Sequence, residues 1–444
     1  MNTILLIPTG EGVGLTSACL GMIYALDCKG IDAGFLKPFS QIADTTIDRT
    51  TTLYSHLFQH KSVEPIIYEK LTQLIALGET DELLEEAVAL HRQIAANHDV
   101  IIVEGLVPNG QDHFASEINA ALAQALDAQV VLVSTADLAD PRKTAEKVDA
   151  HLRQFGGAAS ARTTGVLFMR TKGLPEGTAE IPVTLDPSLR LDEKIAEFSK
   201  ELQRYNRFMG TDDLPIIGLV PFSNILSVPR SLDIASVVDG TWLHEGEAKQ
   251  RRILHTSLIA SDIEAELQKF VAGELIISAA QRTDTLLAAS VATSNGIPLA
   301  GLVLTEQSAP ANNVLEFCQG AIKQGLPILH TPLDTLETAQ RLHHFGNEIP
   351  VDDTERAEQV TRFVSSHIDN NWLDQHTQNN LHPRLSPSAF RYELVQKSIA
   401  AKKRIVLPEG DEPRTVQAAA ICQSRGIAHC ILLAKPESVA EVAK

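Results

Sequence analysis

The chain has 444 residues, 44% hydrophobic and 21% charged, with a formal net charge of −18; this is the balance of a soluble globular protein with domains of roughly 150 residues each. That charge excludes general affinity for nucleic acid, whose phosphates it would repel, while leaving room for a local pocket that takes a small anion. No apolar run approaches the ~20 residues that span a bilayer, residues 1–8 carry no basic start or cleavage site, and the five cysteines contain no C-x-x-C pair, so reduced, mostly buried thiols of a cytoplasmic protein are expected, with no membrane partner.

In chain order, short apolar runs at 4–7, 33–36, 100–103, 130–133, 165–169 and 216–220 read as buried strands. Their near-continuous apolar character suits a mostly parallel sheet covered on both faces. Leu15, Ala18, Cys19, Met22, Ile23 and Leu26 share one face of a helix predicted over 15–29, with Gly30 as its stop. Residues 171–189 have little periodicity and are predicted to be a surface loop. A doubly wound α/β domain over 1–220 follows. A smaller α/β domain is predicted over 221–350, with strands at 275–277, 302–304 and 326–329 and helices at 284–295 and 313–325. Residues 351–385 read as a helix and then a polar linker. From 386 to 444 a helix starting at Ala389, a strand at 404–407, a helix between Pro413 and Gly426 and a strand at 431–433 make one βαβ unit. One such unit cannot cover its own faces, so this α/β segment is expected to be incomplete, and mobile or leaning on a neighbour.

The chemistry-bearing positions lie where parallel strands end, the edge at which open α/β sheets bind ligands. Between the first strand and helix, Gly10, Gly12 and Gly14 let backbone N–H groups approach a phosphate, and the helix N-terminus favours its charge. A phosphate loop carries lysine next; here the residue is Leu15, followed by Thr16 with its hydroxyl. Without that lysine, transition-state charge on a transferred phosphoryl loses a main counter-charge, so hydrolysis of a nucleotide is not expected. The alternative is a tight glycine turn that merely packs helix on strand. Lys37 ends the second strand and Glu104 the third. Glu104 would hold a metal or orient water if partnered; with no partner visible in the pattern it reads as a helix cap or solvated loop carboxylate. His343 and His344 lack neighbours at metal-ligand spacing, so no metal site is read, and no G-x-S-x-G elbow occurs.

Gly12-Val13-Gly14, Lys37-Pro38 and Glu104-Gly105 resemble the dethiobiotin synthetase branch of P-loop proteins. With Ile7-Pro8-Thr9-Gly10, Phe35-Leu36-Lys37-Pro38 and Val103-Glu104-Gly105-Leu106-Val107-Pro108, the first domain looks more like the N-terminal domain of long bacterial phosphate acetyltransferases. In that family loss of the P-loop lysine is a trait and the domain is regarded as regulatory. Residues 221–350 resemble the DRTGG domain that follows there, but Gln281-Arg282 and Thr305-Glu306-Gln307 keep only the Arg and Thr of its two signatures. Arg282 and Asp284 read as a loop salt bridge at a helix start. Ser386-Pro387, Phe390-Arg391-Tyr392 and Lys403 through Thr415 resemble the opening of the phosphate acetyl/butyryl transferase domain, in which Arg414 is a candidate for facing an anionic substrate; its alternative is a salt bridge to Glu409 or Asp411. The resemblance implies acetyl transfer between acetyl-CoA and phosphate, coenzyme A as substrate with no covalent cofactor, a nucleotide or small-acid effector, and a homo-oligomer, hexameric in the family. It also implies catalytic residues beyond Lys444, so that none lies in this chain and the chain alone is inactive. Two rivals are an ATP-dependent ligase of the dethiobiotin type and a structural scaffold with an empty loop.

Overall fold

The structure, a computed structural model, describes residues 2–41, 48–108, 114–157, 162–174, 187–346, 348–377 and 386–443. The chain divides into two compact units, one of Met1–Gly173, Asp186–Val220 and Val360–Lys444, the other of Leu174–Leu185 and Pro221–Gln359.

The first unit is built on strands β1 (Asn2–Pro8), β2 (Ala33–Leu36), β3 (Val100–Glu104), β4 (Gln129–Asp137), β5 (Thr163–Lys172) and β6 (Ile216–Pro221). They lie in the order β2-β3-β1-β4-β5-β6, and β1 runs parallel to both neighbours, with Leu5 opposite Val103 and Val130. β1, β2 and β3 are buried along their whole length, as expected of strands covered on both faces. The covering helices include α1 (Leu15–Asp27), α2 (Arg49–Phe58), α3 (Tyr68–Ala76), α4 (Thr80–Ala95), α5 (Ala115–Ala125), α6 (Pro141–Leu152) and α7 (Pro187–Gln203). α1 ends at Asp27, two residues short of the expected 15–29 span, and Gly30 beyond it lies in the left-handed region at φ 73°. The surface loop expected over 171–189 is shorter at both ends. Residues 171 and 172 still belong to β5, held by pairing of Lys172 with Asp137, and α7 starts at Pro187, where a proline suits a first helical turn. Residues 175–186 of that expected loop lie outside the described ones.

The second unit carries β7 (Thr241–His244), β8 (His255–Leu258), β9 (Glu274–Ala279), β10 (Gly301–Thr305) and β11 (Ile328–His330), ordered β7-β11-β10-β9-β8. β7 is antiparallel to β11, and the other pairings are parallel. Alternate residues face opposite sides. Ile276, Leu302, Leu304 and Ile328 enter one apolar cluster, while Leu275, Ile277, Val303 and Leu329 enter another. The edge strands β7 and β8 were missed in the sequence because Thr241-Trp242-Leu243-His244 and His255-Thr256-Ser257-Leu258 contain no apolar run longer than two residues, and both strands are largely exposed or half-buried. The helix expected over 313–325 is two, Asn312–Phe317 and Gln319–Lys323, broken at buried Cys318.

After Val360 the chain rejoins the first unit. Helices span Thr354–Ser365 and Asn370–Thr377, and the rest of the linker expected up to residue 385 lies outside the described residues. Trp372 donates its indole N–H to the Thr164 carbonyl at 2.8 Å. A side chain at Gly218 on β6 would overlap the carbonyl oxygen of His367, so glycine permits that approach. The helix Pro387–Ala401 is capped by Ser386, whose hydroxyl also donates to the Ala125 carbonyl at 2.6 Å. It lies against α4, with Arg391 paired to Asp81 and Glu85. β12 (Arg404–Leu407) and β13 (His429–Leu432) form a separate parallel pair, exposing Ile405, Val406 and Ile431. In the segment from 386, expected to be mobile or to lean on a neighbour, the first helix contacts α4 and α5 of the same chain. All five cysteines are free, and two of them, Cys19 and Cys318, are buried, fewer than expected. Among the described residues no helix is long and apolar enough to cross a membrane.

Candidate functional site

β1 delivers the chain into a loop that must turn sharply into α1. Gly10, Gly12 and Gly14 take φ of 153°, 66° and 87°, the left-handed side that side chains disfavour. Gly14 is the N-cap of α1 and supplies no side-chain acceptor, so the first-turn amides of the helix are left for solvent or an anion. The loop is pinned at its root, where Thr9 donates its N–H to the Val133 carbonyl at 2.9 Å and its hydroxyl to Ser134 at 2.8 Å. At its crest the Gly12 carbonyl accepts a hydrogen bond from Arg170 Nη1 at 2.9 Å. Leu15 is buried, 6% exposed, so the position that carries a phosphate loop's lysine packs into the core.

Behind the loop the strand ends converge. Lys37, just past β2, places its Nζ 2.7 Å from Asp48 Oδ2 and 3.3 Å from Glu104 Oε1. Asp48 is the N-cap of α2, accepting from the Thr51 N–H at 3.1 Å. Thr50 donates to Glu104 Oε1 at 3.3 Å, and the Thr16 hydroxyl lies 3.2 Å from that of Thr50. Thr16, Thr50, Glu104, Lys37 and Asp48 are thus one connected group at the carboxyl edge of the sheet. Glu104 is no solvated loop carboxylate. It is 6% exposed, and its Oε2 has no hydrogen-bond partner among the described residues. Burial pushes its carboxyl above the usual range, with Lys37 pulling the other way. Burial alone would lower the Lys37 ammonium, but Glu104 and Asp48 hold it above its ordinary value. Burial, reinforced by Glu104, also raises the Cys19 thiol, which leaves it an inert core side chain.

Of the positions singled out in the sequence, Gly10, Gly12, Gly14 and Thr16 form the loop and first turn, and Lys37 and Glu104 meet behind it. Asp48 and Thr50 were not foreseen; their only sequence signal is the Asp followed by three threonines at 50–52, an N-cap pattern. Arg414 is not part of this group. It sits exposed in the first turn of the helix Pro413–Ser424, where the N-cap Glu412 accepts the Arg414 and Thr415 N–H groups at 2.7 and 3.1 Å. In the second unit Arg282 pairs with Asp284 at 2.7 Å, the salt bridge read from the sequence. Thr305 is buried and its hydroxyl lies 2.7 Å from that of Thr335. Glu306 holds φ 81°, a conformation suited to the glycine of the DRTGG pattern. Among the described residues no group of three His, Cys, Asp or Glu is arranged to hold a metal.

Residues 2–230, more than half of the chain, match the family described as AAA domain. The chain belongs to the AAA domain family. Beyond the AAA domain, residues 233–345 match the DRTGG domain and 389–444 the phosphate acetyl/butaryl transferase. The chain is 77% identical over 444 residues to "Phosphate acetyltransferase" of Acinetobacter baylyi and 39% identical over 446 residues to that of Pseudomonas aeruginosa. Each match covers 100% of this chain, and the chain spans 62% of the length of each relative. A solved structure of the CBS and DRTGG domains of a Clostridium perfringens pyrophosphatase overlaps 29% of this chain and 50% of that one, at 15% identity and TM-score 0.22, a likeness too loose to bear on function.

Proposed function

We propose that the protein is a phosphate acetyltransferase, moving an acetyl group between acetyl-CoA and phosphate to give acetyl phosphate and CoA. The observation that carries this is the collinear match of three domains with a relative of that name at 77% identity. The reaction needs a general base for the CoA thiol and donors for the tetrahedral oxyanion. Within 389–443 the matched transferase residues supply β12, β13 and their helices, with Ile405 and Val406 exposed rather than walling a cleft. Residues 1–444 by themselves are therefore expected to be inactive, with Arg414 a contributor to substrate binding when the transferase fold is whole. The AAA and DRTGG domains act as regulatory and assembly parts of a homo-oligomer, and the glycine loop takes an anionic effector such as a nucleotide. That effector biases the transferase only through unequal affinity for its states.

The test is acetyl-CoA formation from acetyl phosphate and CoA. It compares residues 1–444 with the same polypeptide joined to the transferase residues of the Acinetobacter baylyi relative that lie beyond the match. Turnover by the joined protein alone is expected. Turnover by neither overturns the transferase assignment, and turnover by residues 1–444 overturns their inactivity.

A further inference from the structure

Two buried carboxylates beside a phosphate loop, next to the hydroxyl of its first-turn threonine, are the donor set with which such loops hold the magnesium of a bound nucleotide. In this chain a side chain already stands among them. The Lys37 ammonium is 2.7 Å from Asp48 and 3.3 Å from Glu104, and 14% of its side chain is exposed. The Thr16 hydroxyl meets the same group through Thr50, at 3.2 and 3.3 Å. We propose that Lys37 is a built-in cation occupying the place of a divalent metal between Asp48 and Glu104, so that the glycine loop takes a phosphate-bearing ligand without metal.

Three features support this. Magnesium requires oxygens at about 2.1 Å in near-octahedral order, and an ammonium donating to both carboxylates occupies that volume while repelling a second cation. Lys37 is itself largely buried between Asp48 and Glu104, which are 4% and 6% exposed. Glu104 Oε2 is buried without a partner among the described residues, so the group has one acceptor still open for a proton or a ligand's hydroxyl, while Glu104 Oε1 and Asp48 Oδ2 already face the Lys37 ammonium. The loss of the loop lysine to buried Leu15 then has a counterpart: the positive charge at this edge of the sheet enters from β2, fixed to the protein rather than carried in with the ligand.

The inference rests on the loop being an anion site, and its test separates the two. Mn²⁺ alone is titrated into wild type, Lys37→Met and Lys37→Arg with electron paramagnetic resonance as the readout, and ATP is titrated by calorimetry with Mg²⁺ or with EDTA. Wild type and Lys37→Arg are expected to bind no Mn²⁺ below millimolar concentration. Lys37→Met is expected to gain one Mn²⁺ at least tenfold more tightly. ATP is expected to bind wild type as tightly in EDTA as in Mg²⁺. One tight Mn²⁺ on wild type, or ATP held tenfold more tightly with Mg²⁺, overturns the proposal. Should Lys37→Met not fold, the wild-type and Lys37→Arg arms decide alone. ATP binding in neither buffer removes the anion reading of the loop, while the Mn²⁺ arm still judges Lys37.

Discussion

At the residue scale, the loop glycines and Lys37 were legible because strand-end position and backbone need are written in local sequence. Asp48 and Thr50 were not, since nothing local says that the start of α2 folds onto the end of β3. A second buried polar pair behaves alike. His91 on α4 lies with its Nε2 2.9 Å from the Thr3 hydroxyl, and burial, helped by Arg92, lowers its pKa from 6.5 to about 4. Because the folded value is the lower one, the unfolded chain binds the extra proton. The contribution is complete above pH 6.5 and is lost as pH falls through about 4. At about 1.4 kcal/mol per unit, wild type should lose roughly 3 kcal/mol across that window through this group. His91→Gln keeps a hydrogen-bonding side chain and does not titrate. Urea midpoints between pH 7 and 4.5 should therefore fall more steeply for wild type than for the variant; parallel curves would remove His91 as the cause.

At the element scale, β1 to β6 were readable because each is an apolar run buried on both faces, whereas β7 and β8 lie at sheet edges, where half-exposed polar residues hide the strand. The pairing of the transferase segment with α4 was equally invisible, since it joins residues far apart in the chain. α4 packs on β2, which Lys37 follows, and on β3, which ends in Glu104. On its other side Asp81, Glu82 and Glu85 receive Arg391 and Arg425. The strands behind the loop and the transferase segment thus share one helix. The four ion pairs are partly exposed and worth on the order of 1 kcal/mol together. Replacing Arg391 and Arg425 by Ala should raise the rate of chymotrypsin cleavage within Phe390 to Leu394 by about fivefold at low salt, with wild type approaching the variant in 0.5 M salt. Equal rates at low salt would show that the Ser386 contact and apolar packing hold the segment unaided.

At the scale of the molecule, each unit has its own sheet and core, and the question is where the second one ends. The family match stops at residue 345, yet the compact unit runs to Gln359. The difference is electrostatic. Arg230, 6% exposed in its side chain, binds Asp233 at 2.7 Å and Asp352 at 2.8 Å. Arg252 donates to Asp353 at 2.8 Å, and Asp353 is 3% exposed. Arg356 donates to the carbonyls of Leu226 and Ser227 at 2.9 and 3.2 Å. Ending the chain at 345 removes Asp352, Asp353 and Arg356 together, leaving Arg230 with Asp233 and Arg252 without its carboxylate. Breaking a fully buried pair costs about 3–5 kcal/mol; Arg252 is 23% exposed, so roughly 2–3 kcal/mol is expected here, a large share of a small domain's stability. Residues 221–359 should therefore fold as an independent unit with a single urea transition, and residues 221–345 should unfold at a distinctly lower midpoint with the same slope. In the longer polypeptide Asp353→Asn should reproduce most of that loss in one substitution, because it discharges the carboxylate that Arg252 needs. Coincident midpoints for the two lengths would mean that the arginines find water as readily as they find these aspartates, and that the unit closes on its apolar clusters alone.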